Sequence, residues 1–331
     1  MSQRRSVMLA LGASLWGGAA VLLAQTSSGS LRRVGVLAPS TRAKEDVILA
    51  PFFDQMRRLG WVEGQNIQYD RVYAGDEQQM LGRLAVELVA HRPEVIYATI
   101  TPATIAASRA TQTIPIVFAF VADPVAVGLV QSLAHPGGNV TGMSSVASLE
   151  IGPKRVALLR EILPRVKRIG LLGDATDPST KLGLELYERA DALRGLTFVF
   201  AEAANPVEFD AALTRLIAQQ VDAISTVGTA ALVSNLRVRL IELADQRRIP
   251  VIAGAAQYAD SGALFSYGVN VPDFLRRSAL LVDKVLKGAK PADLPVEQPA
   301  AFEFVVNLKA AKTLGITIPQ AILLRADRVI E

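Results

Sequence analysis

Arg33-Val34-Gly35-Val36-Leu37 recurs 135 residues later as Arg168-Ile169-Gly170-Leu171-Leu172. Ile114-Pro115-Ile116-Val117 recurs as Ile249-Pro250-Val251-Ile252, and Gly60 as Gly195, at the same offset. One such match is weak, because buried parallel strands share a Val-Gly-Val-Leu character. Three landmarks in the same order, drawn from different parts of the unit, predict two copies of an α/β half-unit. Two similar lobes facing each other form a cleft, a common place for a small molecule.

The chain between these landmarks alternates short apolar runs with longer amphipathic ones. Strands are predicted at Val34–Ala38, Ile67–Tyr73, Val95–Ile100, Ile116–Phe120 and Val140–Ser144. A second set falls at Ile169–Gly173, Thr197–Ala201, Ala223–Val227, Val251–Ala253 and Leu264–Val269. Helical spacing of apolar residues marks Ile48–Leu59, Leu81–His91, Val156–Leu163, Leu182–Leu193, Phe209–Gln219, Leu232–Arg247 and Phe274–Leu286. Strand alternating with helix predicts an α/β fold of two Rossmann-like lobes with parallel sheets covered on both faces. The lobes are expected at 31–146 and 147–268. The tail beyond Asn270 is expected to cross back between them as a hinge.

Bulk properties narrow the function. The 331 residues carry a formal net charge of +4, and half are hydrophobic, which suits a globular protein of two domains. No Lys/Arg run is dense enough for a nucleic-acid groove. The absence of cysteine excludes disulfides, thiolate catalysis and Cys-ligated metals. At the N-terminus, Arg4-Arg5 precedes an uncharged stretch from Ser6 to Gln25 and then small polar residues. That is the layout of a secretory signal, expected to be cleaved after Ala24 and to direct the protein to the periplasm.

Ligands of open α/β sheets sit beyond the carboxyl ends of the strands. The residues there are Ser40 and Thr41 after the first strand, Thr101-Pro102-Ala103 after the third, and Asp123 and Ser144 around the fourth and fifth. In the second copy they are Asp174, Thr176, Gly228, Thr229 and Gly254. Hydroxyls and N–H groups at helix starts suit a carboxylate, and an acid across the cleft suits an ammonium, so a small zwitterion fits. Ser, Thr and Asp are also ordinary helix caps. Neither His91 nor His135 has a catalytic or metal partner at a recognised spacing, and dinucleotide, P-loop and nucleophile-elbow motifs are absent. No enzyme, metal or cofactor is expected.

Several segments carry a family resemblance. They are Thr113-Ile114-Pro115-Ile116-Val117-Phe118, Asp123-Pro124-Val125, Gly128-Leu129-Val130 and Pro136-Gly137-Gly138-Asn139-Val140-Thr141-Gly142. Gly262-Ala263-Leu264-Phe265-Ser266-Tyr267-Gly268, the Leu286–Pro299 stretch and Asn307-Leu308-Lys309-Ala310-Ala311-Lys312 follow, then Gly315–Pro319 and Leu324–Asp327. Together they resemble the ABC-transporter substrate-binding proteins of the tryptophan-binding-like family. The resemblance implies a type I periplasmic binding fold with three crossovers, lobe 1 taking about 270–290 and lobe 2 about 291–331. It implies a monomeric periplasmic protein that delivers a small solute, such as an aromatic or branched amino acid, to an inner-membrane ABC permease. A sensor signalling to a membrane receptor is the alternative. Relatives that bind aromatic amino acids tend to have an Asp-containing loop after the second lobe's third strand. Here that loop is Thr226-Val227-Gly228-Thr229, without an acid, so Asp174 or Asp177 would have to substitute.

Overall fold

The computed structural model describes residues 31–331 apart from Asp191, Ala192, Thr229, Ala230 and Ala300; the expected signal lies outside the described residues. Strands β1 (Arg32–Ala38), β2 (Ile67–Tyr73), β3 (Val95–Thr99), β4 (Ile116–Val121) and β5 (Val140–Ser144) form one sheet. Its order is β2-β1-β3-β4-β5, all parallel. The second sheet holds β6 (Arg168–Asp174), β7 (Thr197–Ala203), β8 (Ala223–Thr226), β9 (Val251–Ala253), β10 (Phe265–Val269), β11 (Phe302–Asn307) and β12 (Arg328–Ile330). Its order is β12-β11-β10-β9-β8-β6-β7. Read from the other edge, β7-β6-β8-β9-β10 repeats the strand order of the first sheet, and among the described residues only the β10–β11 pair is antiparallel.

The sequence repeat therefore has a physical counterpart. Pro115 accepts a hydrogen bond from the Ile96 N–H at 2.8 Å, and Pro250 accepts one from Ile224 at 2.9 Å. Gly60 and Gly195 both adopt positive φ just past a helix or turn, at +92° and +85°. A Cβ on Gly35 would lie 2.9 Å from Leu88, and one on Gly170 would lie 3.3 Å from Leu216. Each glycine lets one helix pack down on the first strand of its lobe, an interior strand one place in from the sheet edge.

The helices are α1 (Arg42–Ile48), α2 (Ala50–Arg58), α3 (Leu81–Ala90), α4 (Ile100–Ala110), α5 (Val146–Ile162), α6 (Pro178–Arg189) and α7 (Pro206–Ala218). They continue with α8 (Ala231–Asn235), α9 (Arg237–Asp245), α10 (Ala256–Asp260), α11 (Val271–Leu286), α12 (Leu308–Leu314) and α13 (Gln320–Leu323). Alternation along the strands feeds two cores per lobe. Val34, Val36, Val95 and Tyr97 face α2 and α11, whereas Leu37, Ile96 and Phe118 face α3 and α4. Ile169 and Leu171 likewise part from Leu172 in the second lobe.

The chain passes between the sheets three times. β5 leads into α5, which packs on α6 and β10. β10 leads into α11, whose buried Phe274, Leu275, Leu281, Val282 and Leu286 return to the first lobe. Each such side chain contributes roughly 1.5–3 kcal/mol of burial, so α11 is fastened to a lobe distant in sequence. The Trp61 indole also donates to Asp283 at 2.8 Å. The third passage comes later than the sequence suggests. Val296 and Glu297, assigned by sequence to lobe 2, hydrogen-bond to Leu133 and Gly142 of the first lobe. Glu297 continues the first sheet beside Met143.

Gly268, at the second passage, illustrates how tightly this region is built. A Cβ there would lie 1.7 Å from the carbonyl oxygen of Gly254, with no side chain to give way. Gly268→Ala is expected to destabilise the protein by about 3 kcal/mol or more, through forced separation of β9 and β10. Urea unfolding monitored by circular dichroism measures it, and a midpoint equal to wild type would contradict the packing described.

Candidate ligand-binding cleft

The strand ends of the two sheets converge on a cavity of about 150 Å³. The first lobe contributes Ser40, Glu45 and Ile48 from the β1–α1 turn and α1, Thr99 and Ile100 from the β3–α4 junction, and Phe120 from β4. The second contributes Arg155 from α5, Thr226 to Gly228 after β8, Ser234 and Asn235 from α8, and Gly254, Gln257 and Tyr258 after β9. Val269 and Val271 line it at the second interlobe passage.

Two of the wall residues are conformationally strained. Ile100 has φ +61° and Phe120 has φ +59°, values that β-branched and bulky side chains avoid. At Phe120 the β4–β5 register also shifts, and its ring stacks on Phe274 at 4.3 Å. Such strain persists only where the surroundings hold it, commonly at binding sites.

The charges in the cavity are few and unmatched. Glu45 is 3% exposed, and its Oε1 accepts the Ser40 N–H at 3.0 Å. Burial pushes its carboxyl up to about 7, against the opposing effect of the Ser40 hydrogen bonds. The nearby Lys44 is taken by Asp76 at 2.7 Å. Arg155 is 4% exposed and donates to the carbonyls of Thr226, at 3.0 Å, and Tyr267, at 3.4 Å. Its Nε has no partner among the described residues. Among the described residues neither Glu45 nor Arg155 has an oppositely charged partner within salt-bridge distance.

Direct bonds cross the mouth between lobes. Asn235 Nδ2 donates to Ser40 Oγ at 2.5 Å and to Asp76 Oδ1 at 2.7 Å. Gln78 donates to Asp174 Oδ2 at 3.3 Å. The described conformation is thus a closed one.

Of the residues singled out from sequence, Ser40, Gly228 and Gly254 line this cavity. Gly254 leaves room for the guanidinium, since a Cβ there would lie 3.0 Å from Arg155 Nη1. Gly228, at φ +78°, admits the start of α6: its Cβ would meet Ser179 Oγ at 2.7 Å. Thr229 lies outside the described residues.

The others do different work. Thr41 is the N-cap position of α1 without a side-chain capping bond. Thr101 Oγ1 accepts the Ala122 N–H and Ser144 Oγ donates to the Ala122 carbonyl, so both hold the turn after β4. Ala103 is core. Asp123 accepts the N–H groups of Val125 and Ala126 within its own turn. Pro102 and Thr176 line a separate groove beside α3 and α4. Asp174 accepts from Thr176 and from Gln78, and burial raises its carboxyl pKa. Asp177, the other candidate acid, caps α6 through Ser179. Neither Asp174 nor Asp177 lines the cavity; the acid that does is Glu45 of the first lobe. No group of three His, Cys, Asp or Glu among the described residues is placed to hold a metal ion.

Two duplicated α/β lobes closing their strand ends over one small cavity define a type I periplasmic binding fold. Residues 33–330 match the family described as ABC transporter substrate binding protein, and the chain belongs to that family, whose members bind solutes and are not enzymes. A tyrosine-binding protein of Clostridioides difficile (strain R20291) is 27% identical over 292 residues, 88% of this chain and 83% of its own. A solved ABC domain from Streptococcus pneumonia in complex with L-Trp is 28% identical with a TM-score of 0.83, covering 91% of this chain and 100% of its own. A substrate binding protein with adhesive properties from Clostridium difficile, solved ligand-free and open, is 26% identical with a TM-score of 0.65, covering 91% and 99%. The better superposition on the complex agrees with the bonds across the mouth. No helix among the described residues is long and apolar enough to cross a membrane.

Proposed function

We propose that the protein is the solute-binding component of an ABC importer, and that its cleft holds a small carboxylate-bearing ligand, an amino acid with one aromatic ring or a branched aliphatic chain. The observation that carries this reading is Arg155. A buried cation is costly unless paired, and this one is held by two carbonyls with its Nε idle and no carboxylate of its own. A guanidinium so fixed matches a ligand carboxylate, which accepts two parallel N–H groups from such a fork. Ile48, Leu49, Ile100, Phe120 and Val233 give the remaining wall its apolar character. A void of about 150 Å³ takes a benzene-sized group. The relatives named for tyrosine and solved with L-Trp support an amino acid as the class.

On this reading ligand binding favours the closed form, because both lobes contribute contacts that the open form lacks. The N-terminal segment exports the chain, and the monomer works in the periplasm and passes its solute to an inner-membrane permease.

A thermal-shift screen of the amino acids, small carboxylic acids and neutral sugars tests the proposal. A ligand at about 100 times its Kd stabilises by about 2.7 kcal/mol, enough to raise Tm by roughly 5 °C. A set in which no carboxylate-bearing compound raises Tm overturns the reading.

A further inference from the structure

We infer that Glu45 is the residue that holds the ammonium group of the ligand, so that this cleft selects α-amino acids over the same carboxylic acids lacking the amine. The inference rests on the cleft reading above and adds to it a residue and a selectivity. Glu45 is the one carboxylate among the described residues lining the cavity. The second-lobe acids are engaged elsewhere, Asp174 by Thr176 and Gln78 and Asp177 by Ser179. The cation beside Glu45 in sequence, Lys44, is turned to Asp76. Glu45 is thus a buried acid, fixed by Ser40, that lacks a cation, just as Arg155 is a buried cation that lacks an anion.

The two lone charges stand on opposite lobes. A ligand carrying both an ammonium and a carboxylate satisfies each, and does so only when the lobes are together. A carboxylate without the amine satisfies Arg155 and leaves Glu45 facing another anion. Selectivity for the zwitterion then follows from leaving a buried charge unpaired in the wrong complex. Electrostatic neighbours of Glu45 are Lys44, Asp76, Tyr73 and Tyr97 in the first lobe, and Arg155 is the charged group lining the cavity from the second lobe.

The test is calorimetric titration of the full chain with three matched pairs. These are L-phenylalanine with 3-phenylpropionate, L-tyrosine with 3-(4-hydroxyphenyl)propionate, and L-leucine with 4-methylpentanoate. Wild type is expected to prefer at least one amino acid over its partner by about 100-fold. Glu45→Gln, which keeps an acceptor for Ser40, is expected to shrink that preference at least about tenfold, whereas Arg155→Met weakens both members of the pair. Should the variant fold poorly, a pH series on wild type serves instead. Amino-acid affinity is then expected to fall about tenfold or more between about pH 8 and pH 5, with no such fall for the des-amino acid. Equal binding of amino and des-amino acids by wild type overturns the inference while leaving the carboxylate site standing, as does a Glu45→Gln preference equal to wild type. Failure of every pair to bind overturns the carboxylate site itself, and the inference with it.

Discussion

Arg155→Met is expected to weaken solute binding by at least about 30-fold without weakening the fold. In the closed cleft the guanidinium is 4% exposed and has two carbonyls but no carboxylate around it. Truncating one member of a buried charged pair costs about 2–5 kcal/mol, because the other charge is left desolvated and alone. At about 1.4 kcal/mol per tenfold, that is a loss of roughly 30- to 4000-fold in affinity. The effect on stability runs the other way. The guanidinium is an uncompensated buried charge, and replacing buried ionic groups by well-packed apolar ones is often neutral or stabilising by about 1–4 kcal/mol. Methionine keeps an unbranched apolar side chain of similar reach and removes the cation. Arg155→Lys is expected to bind poorly too, since an ammonium lacks the planar fork that reaches Thr226, Tyr267 and a ligand carboxylate together. Calorimetry and urea unfolding read the two effects separately. Wild-type affinity in the Met variant would remove Arg155 from the site. A stability loss above about 3 kcal/mol would recast it as a structural residue.

Arg155 also marks the limit of what the chain discloses before it is folded. Strand periodicity is local, so β2 and β5 fall where the apolar runs place them, at Ile67–Tyr73 and Val140–Ser144. The repeat at offset 135 is equally legible, because packing a helix on the first strand of each lobe requires a glycine in both lobes. Other boundaries depend on context. The amphipathic run Ile48–Leu59 is interrupted at Leu49, ahead of Pro51: Ile48 ends α1, which begins upstream at Arg42, and the rest forms α2. α5 begins ten residues before its apolar spacing does and runs through Pro153. β12 is too short, at three residues, to show a period.

The site was legible in part for a physical reason. Residues following strands can be named from sequence, and Ser40, Gly228 and Gly254 do line the cavity. Which of the small polar residues face a ligand and which merely tie down a turn depends on orientation. Thr101 and Ser144 converge on Ala122 from different elements, and no spacing reveals that. Glu45 had a detectable signal, an acid in the first turn of the helix that follows the first strand. Arg155 had none, since it enters the cavity from the middle of a helix that follows the first interlobe passage. Asn235 bonds to residues 195 and 159 positions away.

Glu45→Gln is expected to make the ligand-free protein more stable at neutral pH and nearly unchanged in acid. The ordinary carboxyl value of 4.5 rises to about 7 in the folded chain, chiefly through burial, with Asp76 adding to the rise and Lys44 opposing it. A carboxyl that holds its proton more tightly when folded contributes its stability below the unfolded value and loses it as pH climbs through the folded one. Wild type therefore loses stability between about pH 4.5 and pH 7, by up to about 3 kcal/mol at 1.36 kcal/mol per pKa unit. Glutamine carries no charge to desolvate and still offers an oxygen to the Ser40 N–H, so the variant lacks this slope. Asp177, whose carboxyl is also raised, to about 6, contributes a slope of the same sign to both proteins and cancels in their difference. Urea unfolding of the pair at several pH values gives that difference directly. It is expected near zero at about pH 4.5 and to approach its full value by about pH 8. A flat difference across this range would mean that Glu45 bears no burial cost in the apo protein. The expected curve instead describes an acid kept charged in an unfavourable place, a cost to the ligand-free protein that makes sense when a cation completes it.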